Sequence, residues 1–155
     1  MVKAMDKALV RVNVDGEGHT VSLAKARIPK IDEFMNFLKE KRIPIALVDL
    51  AYTPQSILVA AVYTLIDIKR GTGIAKDPVM QFALNLTGTH QLSKALEKVY
   101  PRGEIGYLVG MDTDLKELNG LYDALELEGI SFDAHVVEMF SARANGVNWK
   151  YRKNN

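Results

Sequence analysis

Cysteine is absent from the 155 residues, so this sequence can form no disulfide, thiolate zinc site, iron–sulfur cluster or cysteine nucleophile. A reducing compartment fits that composition. Neither sign of charge dominates. Twenty Lys and Arg stand against 19 Asp and Glu, a formal charge of +1. That lacks the strong basic excess of a stand-alone nucleic-acid binder and confines any RNA contact to a local patch. Long apolar runs are missing too. The most hydrophobic stretch, Ile57 to Ile66, has about half the length that crosses a bilayer and reads as a buried helix. Met1 to Asp6 shows no charged leader followed by an apolar run, so the expected location is the cytoplasm, with no membrane partner.

What is present is ordinary globular composition, 48% hydrophobic and 25% charged, in a length typical of one domain. Residues 1–140 read as a single globular domain of the α/β (α+β) class, a mixed β-sheet packed against several α-helices. Residues 141–155 read as a basic tail containing Trp149 and Tyr151, without an apolar period. Ala8 to Val14 alternates, with Val10, Val12 and Val14 on one face. Asp15-Gly16-Glu17-Gly18 supplies turn chemistry, and Thr20 to Ala26 completes an expected hairpin. Ile31, Phe34, Met35 and Leu38 keep helical spacing, with Asp32 and Glu33 early and Lys39, Lys41 and Arg42 late, as the helix dipole prefers.

Ile43 to Leu50 is a short aliphatic strand leading to Thr53-Pro54, an N-cap with proline at the first helical position. The helix that follows to Arg70 is apolar nearly all round, which reads either as a central core helix or as one that also meets another protein. A third helix starts at Asp77-Pro78 and stops at Gly88. Thr89 can cap a fourth, whose buried stripe is Leu92, Ala95, Leu96 and Val99. Ile105 to Gly110 returns to strand. Asp112-Thr113-Asp114 leads a helix with Leu115, Leu118, Tyr122 and Leu125 inward and Gly129 as its stop, and Ala134 to Phe140 reads as a last strand.

Enzymatic signatures are lacking. The three histidines, His19, His90 and His135, match no metal-binding spacing. Asp112 and Asp114 read as helix-capping carboxylates rather than an acid–base pair. Gly71-Thr72-Gly73 has no following Lys-Ser or Lys-Thr and comes after a helix, so it fails as a phosphate-binding loop. No Gly-x-Ser-x-Gly elbow holds a serine nucleophile. The informative segment is Leu84 to Leu96, where two amphipathic helices meet at an exposed Thr87-Gly88-Thr89 corner that displays His90, Gln91, Ser93 and Lys94. The corner reads either as a helix stop followed by a cap or as a site for a ligand.

Thr53-Pro54-Gln55-Ser56-Ile57-Leu58-Val59-Ala60-Ala61, Leu86-Thr87-Gly88-Thr89-His90-Gln91-Leu92, Ala95-Leu96 and the strand Ile105 to Val109 together resemble a known family. It is the small subunit of the KEOPS tRNA-modification complex whose eukaryotic member is called PRPK-binding protein, and the likeness, to an archaeal member, runs from about Ile45 to Gly110. The resemblance implies an adaptor without enzymatic activity or cofactor. It would bind the atypical protein kinase of the complex and grip the single-stranded CCA end of tRNA while threonylcarbamoyladenosine is made beside the anticodon. Thr87, Gly88, Thr89, His90 and Gln91 would read the bases, with Lys94, Lys69, Arg70 and Lys76 near the phosphates. The chain departs from the pattern at Gln81, where the family usually has Glu, and at His90, where Arg is frequent; without that fixed guanidinium, RNA affinity is expected to be lower or pH-sensitive. A helix, a glycine corner and a second helix also describe a helix-turn-helix DNA reader, the competing expectation.

Overall fold

In the computed structural model, the structure is described for residues 9–113, Leu115, Leu118, 126–128 and 147–151. The opening valines form β1 (Leu9–Val14), which pairs with β2 (Glu17–Arg27) through the two-residue turn Asp15-Gly16. Both turn residues have positive φ, 51° and 86°, the left-handed pair that matches the twist of a hairpin. The turn is tighter than the four-residue segment expected, so β2 starts three residues early. There follow α1 (Ile31–Lys41), β3 (Ile45–Asp49), α2 (Pro54–Arg70), α3 (Pro78–Thr87), α4 (Leu92–Val99), β4 (Ile105–Met111), β5 (Glu126–Glu128) and β6 (Val147–Tyr151).

The sheet order is β3-β4-β2-β1-β6, and β5 lies beside the far end of β2, on the same edge as β1. Every described pairing is antiparallel, where a mixed sheet was expected. The reason lies in the helical excursion between β3 and β4. It leaves from Asp49 and returns opposite the same residue, whose carboxylate accepts from Ala51 N at 3.0 Å and from Arg102 N at 2.9 Å. Those two amides hold the Asp49 carboxyl below its usual range, the Arg102 amide contributing most.

Both sheet faces are covered. Ala46 and Val48 of β3, with Val10, Val12, Val21, Leu23, Val109 and Met111, pack beneath α2, α3 and α4. The alternate residues Ile45 and Leu47, with Ala24, Ala26, Ile28 and Leu108, pack against Phe34 and Leu38 of α1 and against Leu115 and Leu118. Burial on two faces explains why β3 is aliphatic throughout. It also explains α2, whose buried residues point both to the sheet and to α3, in line with the core-helix reading. Thr53 caps that helix as expected, accepting from Ser56 N at 3.2 Å.

The α+β class stands, and three local expectations change. Glu126–Glu128 is strand, paired with Lys25–Arg27, where a helix running to Gly129 was expected. Val147–Tyr151, placed in the tail, is a strand paired with β1 along Val10–Val14. Asp112, expected to cap a helix, has φ 58° and turns its carboxylate back to β2, accepting from Thr20 N at 2.9 Å. Of the helix expected after Asp112, Leu115 and Leu118 are buried as expected, while Asp114, Tyr122 and Leu125 lie outside the described residues, as does the strand Ala134 to Phe140. Among the described residues no helix is long and apolar enough to cross a membrane.

Candidate nucleic-acid interface

The corner begins with α3. Asp77 accepts from Val79 N at 2.8 Å and Met80 N at 3.3 Å, and Pro78 occupies the first helical position, where a missing N–H costs nothing. The helix stops because Gly88 adopts φ 73° and its N–H turns back to Leu84 O at 2.9 Å. Thr87 is committed locally: its hydroxyl donates to Ala83 O at 2.8 Å. Thr89, expected to cap the next helix, instead accepts from Gln91 N at 3.2 Å in a turn of its own. The N-cap position of α4 is therefore Gln91, in extended conformation, and no side chain caps the helix.

Two consequences follow for recognition. The side chains of His90, Gln91 and Lys94 are exposed and have no hydrogen-bond or ion-pair partner among the described residues. The first amides of α4 are left without a capping oxygen, at the positive end of the helix dipole. Ala95 and Val99 anchor α4 to the core, so the corner is presented on a packed base.

The remaining cations named from sequence are elsewhere. Antiparallel packing of α2 and α3 is fixed by polar contacts: Asn85 Nδ2 donates to Thr64 Oγ1 at 3.1 Å and to Asp67 Oδ2 at 3.0 Å, and Gln81 Nε2 approaches Asp67 Oδ2 at 3.4 Å. Lys69 and Arg70 thus sit beside the start of α3, nearly three helical turns, about 15 Å, from its Gly88 end. Both are paired with the β1–β2 hairpin. Arg70 grips Asp15 with two bonds of 2.9 Å, and Lys69 Nζ lies 2.6 Å from Glu17 Oε2. The hydrogen bond from Arg70 holds the Asp15 carboxyl below its usual range, the one from Lys69 does the same for Glu17, and Asp15 raises Arg70 in return. Lys76 is exposed in the loop before α3, also away from the corner. Of the nine residues expected to contact tRNA, the structure brings together Thr87, Gly88, Thr89, His90, Gln91 and Lys94, and separates Lys69, Arg70 and Lys76 from them.

Sequence reasoning missed two polar clusters. Asp67 is the hub of the first: besides Gln81 and Asn85, it receives Thr72 Oγ1 at 2.7 Å, while Gln81 Oε1 accepts from Ala75 N at 2.9 Å. The signal was there, since Thr64 and Asp67, and Gln81 and Asn85, are spaced to share a face on otherwise apolar helices. It also rationalises Gln81. A glutamate there would set two carboxylates against each other, whereas the amide donates to Asp67. The second cluster places His19 between Asp112, 2.7 Å from its Nδ1, and Glu17, 3.1 Å from its Nε2. The latter contact is not aligned as a hydrogen bond. Among the described residues no group of His, Asp and Glu is arranged to hold a metal ion.

No protein-family model matches the chain, and no curated protein matches it.

Proposed function

We propose that the chain is a non-catalytic adaptor subunit of a KEOPS-type complex, binding the atypical kinase subunit and the 3′ CCA end of tRNA in support of threonylcarbamoyladenosine formation. The observation that carries this reading is the Thr87–Gln91 corner, whose His90 and Gln91 side chains are exposed and spared from capping beside the open start of α4. A single-stranded end offers unstacked base edges and phosphates, and such a corner supplies amide donors, a side-chain amide for base edges and one nearby cation, Lys94. Near-neutral overall charge suits a subunit that shares its RNA with partners. The duplex-DNA reading has less support, because α4 is only eight residues long and its exposed face carries Glu97 among Ser93, Lys94 and Lys98.

Binding to intact tRNA and to tRNA trimmed of its CCA tests the RNA half. Trimming is expected to remove most of the affinity. Gln91→Ala should weaken intact tRNA by on the order of 1 kcal/mol and add little on trimmed tRNA, with unchanged thermal unfolding. Equal affinity for both RNAs sinks the site. The kinase half is tested separately by purifying the tagged chain from its native cells in moderate salt: an atypical kinase of the complex should co-elute, and its absence counts against the adaptor reading.

A further inference from the structure

Four charged side chains meet where the β1–β2 hairpin reaches the end of α2. Arg70 takes both oxygens of Asp15, through Nε and Nη2 at 2.9 Å each, and Lys69 Nζ takes Glu17 Oε2 at 2.6 Å. The two-oxygen fork is the geometry in which a guanidinium also grips a phosphate, so the Asp15 carboxylate stands where an anionic ligand would. The hairpin has other supports. Its turn is set by the positive φ of Asp15 and Gly16 and by Asn13, whose Oδ1 accepts from Gly16 N at 3.0 Å, and its strands by the valine register. The four side chains keep between 31% and 52% of their surface exposed, and ion pairs so open to water add little to stability.

Their effect on the field around them is larger. Asn-Gly serves a turn of this kind as well as Asp-Gly, so the turn itself requires no charge at position 15. Without Asp15 and Glu17, three cations, Lys69, Arg70 and the exposed Lys76, would stand at this end of the helix pair. The two other carboxylates there are taken up elsewhere, Asp67 by Asn85, Gln81 and Thr72, and Asp77 by the first amides of α3. The hairpin carboxyls are held below their usual range by Arg70 and Lys69, so mild acid does not discharge them. The Gly88 corner lies about 15 Å along α3, roughly four phosphate spacings of a helical strand.

We propose that Asp15 and Glu17 determine specificity as an electrostatic guard, which denies Lys69 and Arg70 to nucleic-acid phosphates and so confines RNA to the Gly88 end. The inference rests on the RNA-binding reading for its ligand, but not on the corner reading a CCA end. A phosphate reaching Arg70 must break a contact made through both carboxylate oxygens, whereas one reaching Lys94 displaces only water. The exchange also leaves a freed carboxylate beside the incoming anion, so little is gained from it. An RNA that lacks the right single-stranded end therefore finds no second cationic anchor at the hairpin. Discrimination of this kind comes from withholding contacts to the wrong ligand as much as from making them to the right one.

The test is the variant Asp15→Asn/Glu17→Gln of the full chain, titrated with CCA-less tRNA across a salt series. Its affinity is expected to rise about tenfold at moderate salt, and the slope of log affinity against log salt to steepen by about one to two. Adding Lys69→Ala/Arg70→Ala to that variant should return the slope to its original value, although the same two alanines leave it unchanged in the unmodified chain. Glu33→Gln/Glu40→Gln removes two exposed carboxylates of α1 and should steepen the slope far less. Thermal unfolding is followed throughout; if the first variant melts early, Glu17→Gln alone, outside the turn, frees Lys69 and should steepen the slope by about one. An unchanged slope overturns the guard. So does an equal effect in the α1 variant, which would assign the gain to net charge. Inorganic polyphosphate is the second probe: if the unmodified chain binds no RNA, polyphosphate binding gained by the unguarded variant upholds the guard apart from the RNA reading, and no gain overturns it.

Discussion

The two ends of the α2–α3 pair use charge in opposite ways. At the Arg70 end, two cations are held by Asp15 and Glu17, fastening the helix terminus to the hairpin. At the Gly88 end, His90, Gln91 and Lys94 have no such partners. Lys69 and Arg70 end the apolar helix α2 and Lys94 lies in the first turn of α4, and by residue type alone all three are equally good phosphate ligands. The difference is tertiary: an exposed cation already facing a carboxylate must give up that contact before it can meet RNA, while one facing solvent gives up only water. Placement near a motif in sequence is therefore a poor guide to which cations a ligand can use.

The largest way to break this contrast is to loosen what keeps the two ends apart. Asp67→Ala would leave the amides of buried Gln81 and of Asn85, and the Thr72 hydroxyl, without their shared acceptor. It is expected to destabilise the fold by about 2–3 kcal/mol, read by thermal or denaturant unfolding. A change within a few tenths of a kcal/mol would show that the network does not hold the helix pair together. That network was legible as spacing on two helices but not as a network, because pairing Thr64 and Asp67 with Asn85 and Gln81 needs the antiparallel packing that sequence does not specify.

A smaller and more selective effect sharpens the comparison itself. Lys94→Ala should weaken tRNA binding on all tRNAs and reduce the slope of log affinity against log salt by about one, the signature of one lost phosphate contact. The double variant Lys69→Ala/Arg70→Ala should leave that slope unchanged, because those cations are engaged with Asp15 and Glu17. If the double variant lowers the slope and Lys94→Ala does not, the cations at the hairpin end are the RNA ligands and the assignment of the corner is reversed.

Elements with a repeating local signal were readable from the chain. Val10, Val12 and Val14 with Asp15-Gly16 define a hairpin through side-chain alternation and two positive φ angles, and Thr53-Pro54, Asp77-Pro78 and Gly88 set helix ends through capping and left-handed turns. Those are interactions between residues a few positions apart, so composition and spacing determine them. β6 carries alternation too, in Val147, Trp149 and Tyr151, but the basic residues around it masked a five-residue signal.

The remainder depended on distant partners. That every described strand pair is antiparallel, that Asp112 serves β2 rather than a helix, and that Lys69 and Arg70 are engaged all follow from contacts tens of residues apart in the chain. Local propensity determined the helices and the hairpin of this protein; which polar groups were left unpaired was decided only when the sheet order brought their partners near or kept them away.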